Sequence, residues 1–201
     1  MTRPPRARAL SPEAVIEAAA SLVDERGQEG LTLAELAKRL GVRSPSLYNH
    51  VDGLEGLLRE LRLRALTDLG RALERATVGR SSRDALAALS HAYRGYVREH
   101  PGLYGLTVRS TEVQGARERE AGEAVVEVVF AVLRGFGLEG EDAVHATRYL
   151  RSTLHGFAVL ELAGGFGLEQ PVEESLDVAV QLLHVSLEEL GRTRGSRHTG
   201  S

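Results

Sequence analysis

The sequence contains no cysteine, which excludes a disulfide framework, a thiol nucleophile and any zinc site with sulfur ligands. No apolar run approaches the roughly 20 residues needed to cross a bilayer. Nothing apolar precedes Glu13 long enough to serve as a secretory signal, so a cytoplasmic location is expected. Enzyme signatures are also missing. The histidines at 50, 91, 100, 145, 155, 184 and 198 form no His-x-x-x-His pair, and there is neither a Gly-x-Ser-x-Gly nor a Gly-Lys-Ser/Thr loop. Gly164-Gly165-Phe166-Gly167 follows no predicted strand and reads as a hinge or cap, not a nucleotide loop. Glu118, Glu120 and Glu123 beside Arg117 and Arg119 read as a solvated helix face. No catalytic residue, metal site or cofactor is expected.

What is present is a chain of 201 residues, 42% hydrophobic, enough for one large or two small domains with a buried core. Its net charge of -3 does not by itself suggest a nucleic-acid partner. The distribution says more: residues 1–50 carry 7 basic against 6 acidic side chains, and residues 51–201 carry 18 against 22. Arg3, Arg6 and Arg8 form a basic arm with no acid beside them. A basic start on an acidic body suits a DNA-binding end.

Periodicity is helical throughout, and no strand pair is evident. Ser11-Pro12-Glu13 supplies an N-cap, a proline at the first helical position and an acid in the first turn. Val15, Ala18, Ala19, Leu22 and Val23 recur at spacings of three and four until Gly27. Thr32-Leu33-Ala34-Glu35 fits a capping box for a short helix ending at Gly41. Ser44-Pro45-Ser46 opens a very short helix through His50, and Asp52 and Glu55 cap a long one to about Val78. Further helices are expected over 82–100, 112–136, 141–163 and 171–190. The resulting division is a flexible basic arm (1–10), a three-helix N-terminal domain (11–51), a linking helix (52–78), a larger helical domain (79–190) and a disordered tail (191–201).

Residues 33–50 hold the strongest signal. A helix-turn-helix needs a small residue where its helices cross, a positive-φ position four residues later, and an apolar anchor on the second helix. Ala37, Gly41 and Leu47 meet all three demands, with Leu36, Leu40 and Val42 as further anchors. A purely structural helical hairpin could share this spacing. The exposed chemistry of the second helix tips the reading: Arg43, Ser44, Ser46, Tyr48, Asn49 and His50 all donate hydrogen bonds, and no acid lies between Val42 and Val51. Such a surface fits a major groove without charge repulsion, with the helix start offering N–H groups to phosphate.

The run Leu33-Ala34-Glu35-Leu36-Ala37, Gly41-Val42, Ser46-Leu47-Tyr48-Asn49-His50-Val51 and Leu57-Leu58 resembles the DNA-binding domain of the TetR/AcrR family of one-component repressors. The resemblance implies an all-α fold, an N-terminal three-helix helix-turn-helix domain joined by a long helix to a helical-bundle ligand-binding and dimerisation domain. It implies that Thr32 and Tyr48 hold backbone phosphates, that Arg43, Ser44, Ser46 and Asn49 lie at or near base edges, and that His50 packs or touches phosphate. Two positions depart from the pattern: Val51 replaces the usual Phe, and Leu54 stands where a Lys is frequent, leaving that phosphate contact to the helix N-terminus. Leu154-His155-Gly156 resembles the Trp-His-Gly subclass of C-terminal domains, with Leu154 in place of the Trp.

The final helices carry two apolar stripes where a surface helix needs one. Val172, Leu176, Val180, Leu183 and Leu187, with Leu160 on the preceding helix, are expected to form a homodimer interface as a four-helix bundle; Val178, Leu182 and Val185 make the second stripe. Two reading heads per dimer would suit a palindromic operator with half-sites about 34–36 Å apart, or a multiple of that. Aromatics are only 4% of the chain, yet Tyr93, Tyr96, Tyr104, Phe130, Tyr149, Phe157 and Phe166 all fall beyond residue 90, with His155, Arg109 and Arg151 among them. These are the candidate lining of a pocket for a partly apolar small molecule, His155 being the best single polar contact. The function expected is a ligand-responsive DNA-binding transcriptional regulator, by family default a repressor released from its operator by a small molecule. A helical ligand-binding module that never meets DNA, or an enzyme, are the alternatives.

Overall fold

The computed structural model describes residues 10–108 and 115–198. Arg3, Arg6, Arg8 and Arg109 lie outside the described residues. Among those described there are eight α-helices and no strand: α1 (Pro12–Arg26), α2 (Leu33–Leu40), α3 (Gly53–Thr77), α4 (Ser82–Glu99), α5 (Pro101–Val108), α6 (Ala116–Arg134), α7 (Gly140–Leu162) and α8 (Val172–His198). Short 3₁₀ segments lie at Gln28–Gly30 and Ser44–Asn49. None of the helices is long and apolar enough to cross a membrane.

The chain forms two compact units, the first made from residues up to Ala65 together with Gly102 onward in α5, the second from the remainder. In the first unit the sequence signals act locally. Ser11 Oγ accepts from the Ala14 amide at 3.2 Å and Pro12 opens α1. Thr32 Oγ1 accepts from the Glu35 amide at 3.1 Å to start α2. Gly41, at φ 66°, takes the left-handed conformation that ends α2, and its amide and that of Val42 bond back to Lys38 and Ala37 carbonyls. Val15, Leu22, Leu36, Leu47, Leu57 and Leu61 pack as one fully or almost fully buried cluster, an apolar core whose burial drives the unit together.

One helix was not expected. The sequence reading takes Pro101-Gly102 as a break, whereas the chain turns at His100 and starts α5 on Pro101, a residue well suited to a first helical turn. Leu103 and Leu106 join the buried cluster of the first unit. The Leu103 amide donates to Asp24 Oδ1 at 2.8 Å, and Arg62 Nε donates to the Leu106 carbonyl at 3.2 Å. A Cβ on Gly102 would sit 2.0 Å from the Val23 carbonyl oxygen, so only glycine lets α5 approach α1 this closely.

In the second unit α4, α6, α7 and α8 pack on one another, around Leu86, Leu89, Val97, Leu133, Leu150 and Leu154. The last helix extends beyond the expected end at residue 190, to His198. Arg194 Nε lies 3.2 Å from Asp142 Oδ1 and ties this extension to α7.

Candidate nucleic-acid interface and ligand cavity

The segment after the Gly41 turn is a six-residue 3₁₀ helix, not the short α-helix that the sequence suggests. Pro45, in its second position, removes a donor, and the i→i+3 bonds Ser46 N to Arg43 O (2.9 Å) and His50 N to Leu47 O (2.9 Å) set the tighter winding. Leu47 is fully buried and pins the segment to the core. On the other side Tyr48 is 62% exposed, Arg43 and Asn49 are exposed, and Ser44, Ser46 and His50 are half-buried. Thr32, also exposed, uses its oxygen as a helix cap and keeps its hydroxyl proton for a second partner.

Charge around this surface is sorted. Arg39 makes two bonds to Glu25, at 2.6 and 2.7 Å, and Arg26 reaches Glu35 at 2.9 Å. Those arginines are occupied between α1 and α2. Arg43 has no ion-pair partner among the described residues, and neither does the exposed Lys38 in the last turn of α2. Lys38 is a cation beside the turn that the sequence reading passed over; its place one residue from the solvated side of the Ala37–Gly41 signature was the available clue. The described geometry thus joins six donors, the unpaired Arg43 among them, and no carboxylate along residues 43–50, with the unpaired Lys38 beside the turn.

In the second unit, a cavity of about 900 Å³ opens between residues 66–77 of α3, the turn after it, the start of α4, and residues 121–134 of α6 with Gly135 beyond them. Its apolar lining is made of small and aliphatic side chains, including Leu66, Gly70, Ala85, Ala124, Val128 and Ala131. None of the described residues proposed from the sequence lines it. Tyr93 and Tyr96 are buried on α4, and Tyr96 stacks at a tilt on His100 with ring centroids 5.1 Å apart. Tyr104 is buried on α5, within the first unit. Phe130 is half-buried on α6, and Arg151 is exposed on α7. Phe157 and Phe166 pair with each other at 4.9 Å. His155 is half-buried, and burial together with the neighbouring Arg151 charge lowers its pKa, favouring the neutral ring. Tyr93, Tyr96 and Tyr104 are thus packed in the interior, whereas Tyr149 and Phe166 are exposed.

The expected dimer stripe needs the same kind of correction. Leu176, Val180, Leu183 and Leu187 are buried within the chain's own fold and Val172 is half-buried, so this regular stripe is the intramolecular seam. Leu160 does face outward, 52% exposed, and the second stripe does too: Val178 (56%), Leu182 (61%) and Val185 (56%).

A polar network that sequence reading missed holds the α7–α8 pair. Arg94, buried on α4, donates Nε and Nη2 to the two carboxylate oxygens of Glu161 at 2.6 and 2.7 Å, and Nη1 to Glu173. Hydrogen bonds from Arg94 hold both carboxyls below the usual range, and the same bonds push the Arg94 pKa further up. Glu161, the only charge between Leu154 and Ala163, was the available signal, since a lone acid on an apolar helix needs a cation. Among the described residues no group of three or more His, Asp or Glu side chains is arranged to hold a metal ion.

A family model for bacterial regulatory proteins of the tetR family matches residues 15–61, and one for the tetracyclin repressor-like C-terminal domain matches residues 86–183. The HTH-type transcriptional regulator Rv0681 of Mycobacterium tuberculosis is 40% identical over 158 residues, spanning 77% of this chain and 72% of that protein. The HTH-type transcriptional regulator YobS of Bacillus subtilis is 36% identical over 173 residues, spanning 86% and 90%. Among solved structures, a protein of unknown function from Rhodococcus sp. RHA1 matches with a TM-score of 0.77 at 26% identity, covering 92% of this chain and all of that one.

Proposed function

The chain belongs to the tetR family of bacterial regulatory proteins, and from that premise we propose how this ligand-responsive DNA-binding transcriptional regulator uses its residues. It is a regulator and not an enzyme. Its DNA-reading surface is the segment from Arg43 to His50. The observation that carries this reading is a 3₁₀ segment locked to the core by Leu47 that turns Arg43, Tyr48 and Asn49 to solvent with no carboxylate among them. Arg43, Ser44, Ser46 and Asn49 contact base edges, Thr32 and Tyr48 hold phosphates, and His50 packs or adds a phosphate contact. Lys38 supplements the phosphate contacts.

The chain acts as a homodimer through the outward faces of α7 and α8, around Leu160, Val178, Leu182 and Val185, so that two such segments read a palindrome. The Leu154-His155-Gly156 step of α7 is the counterpart of the Trp-His-Gly motif, with Leu154 buried in the core. The effector site is the cavity on α3, not the aromatic set. One continuous helix carries cavity residues such as Leu66 and Gly70 and, earlier, the buried core residues Leu57 and Leu61. A small molecule that displaces this helix alters the setting of the reading segments and releases the operator, which makes the protein a repressor. Coupling of about 1–3 kcal/mol changes DNA affinity by about 5–150-fold, and linkage requires DNA to weaken effector binding by the same factor.

The test is fluorescence anisotropy with a labelled duplex from the region upstream of the protein's own gene, at stated salt. Arg43→Ala should cost about 1–3 kcal/mol and relax selectivity, whereas Tyr48→Ala should weaken all sequences alike. Equal affinity of the wild-type protein for that duplex and a scrambled one would overturn the assignment.

A further inference from the structure

The cavity's charged lining is uneven, and that asymmetry identifies a ligand class. Taking the cavity as the effector site, as read above, we infer that it binds an unbranched aliphatic chain ending in a small anionic head, a carboxylate or a phosphate. The floor comes first. A Cβ on Gly70 would lie 3.4 Å from Val125 Cγ2, so α3 and α6 approach closely at that level. Farther along, Ser82 Oγ donates to the Gly135 carbonyl at 2.9 Å. Residues 66–77 of α3 and 121–134 of α6 both line the cavity, and at 1.5 Å per residue the α3 wall gives a groove of roughly 16 Å. Leu66, Ala121, Ala124, Val128 and Ala131 line it, with no aromatic ring to stack on a planar ligand. A narrow aliphatic trough of this length suits a flexible chain.

The head is set by the far end. Arg80 and Arg134 both line the cavity where Ser82 meets Gly135, and Arg71 lies farther down the trough. None of the three is ion-paired to a described residue. Glu74 and Glu127 are the acids of the lining. They line its α3 and α6 walls, whereas no acid of the cavity lining adjoins Arg80 and Arg134; Glu188 and Glu189, on the far side of Ser82 and Gly135, lie outside that lining and face His184 and Arg192. Ser81, at the N-cap of α4 and also in the lining, makes no side-chain bond to that helix end and keeps its hydroxyl for the ligand. Arginine pairs with a carboxylate or phosphate through two parallel bonds, a geometry an ammonium or alcohol head cannot use.

The experiment is isothermal titration of the full-length protein with dodecanoate, dodecyl phosphate, dodecan-1-ol and dodecyltrimethylammonium, all below micelle-forming concentrations. Dodecanoate or dodecyl phosphate should bind at least about tenfold more tightly than the alcohol, and the ammonium should bind more weakly still. The tighter of the two anions identifies the head. Arg80→Ala/Arg134→Ala should lose roughly 10- to 100-fold for the anions and little for the alcohol, and circular dichroism checks that the variant is folded. Ala124→Phe, which fills the trough, should abolish binding of every chain compound. If all four ligands bind alike and the double variant changes nothing, the anionic head is wrong while the cavity stands. If Ala124→Phe leaves dodecanoate binding intact, the cavity reading itself fails. If no chain compound binds, the aliphatic anion is wrong, and operator release by other compounds decides the cavity separately.

Discussion

Replacing Arg94 by Met tests the packing of α7 and α8 more sharply than any apolar change. The guanidinium is 9% exposed at its side chain and Glu161 is 16% exposed, so this pair is largely removed from water. Methionine fills similar volume but leaves the Glu161 carboxylate without its two bonds of 2.6 and 2.7 Å. Breaking a buried pair from one side costs about 3–5 kcal/mol. Arg98 Nε, 3.7 Å from Glu161 Oε1, and the remaining exposure reduce this to about 2–4 kcal/mol. For a chain of this size that lowers the melting temperature by on the order of 4–16 °C. The sign with pH is also fixed. Without Arg94, burial raises the Glu161 pKa, and protonation relieves the orphaned charge. The defect is therefore largest near neutrality and shrinks as pH falls into the carboxylate range, about 4 to 5. Urea unfolding followed by circular dichroism at both pH values measures it. The double variant R94M/E161M, which removes the orphan, should recover to within about 1 kcal/mol of the wild type. A stable single variant, or a double variant no better than the single, would refute the reasoning.

Three further outcomes follow from the same geometry. Gly102→Ala forces α5 off the Val23 carbonyl, a backbone clash that no rotamer relieves; it should destabilise the first unit by about 1–3 kcal/mol, read as faster amide exchange at Leu103, and unchanged exchange would contradict it. Leu182→Glu places a charge on the exposed stripe of α8 and should yield monomers by light scattering, with operator affinity lost in parallel; a persistent dimer would move the interface elsewhere. Glu161 and Glu173 are both held below the ordinary carboxylate range by Arg94, so their stabilisation is complete above the unfolded pKa and is lost as pH falls through the lowered folded values. The melting temperature should drop on acidification more steeply in the wild type than in Glu161→Gln, and parallel curves would contradict this.

The N-terminal unit was legible because its determinants are local. Caps at Ser11 and Thr32, the left-handed Gly41 and the Ala37, Gly41 and Leu47 spacing each act within a few residues. What the sequence could not show depends on distance or on ambiguity. Asp24 and Leu103 meet across 79 positions, so α5 reads as a break until its contacts are known. On α8 both stripes are apolar, and the more regular one, Leu176, Val180, Leu183 and Leu187, turned out to be the intramolecular seam. The α3 cavity was not legible for a related reason: large aromatic side chains fill space, whereas the Gly70, Ala124 and Ala131 surface, which carries no sequence signal of a pocket, leaves it open.

Selection of bound duplexes from a random library, followed by sequencing, meets the central assignment head on. The wild-type protein should enrich two inverted half-sites whose centres lie about one helical turn, or a multiple, apart, and Arg43→Ala should blur the preference within each half. Enrichment of no sequence, or of a single unsymmetrical site, would contradict a pair of reading segments built on Tyr48 and its neighbours.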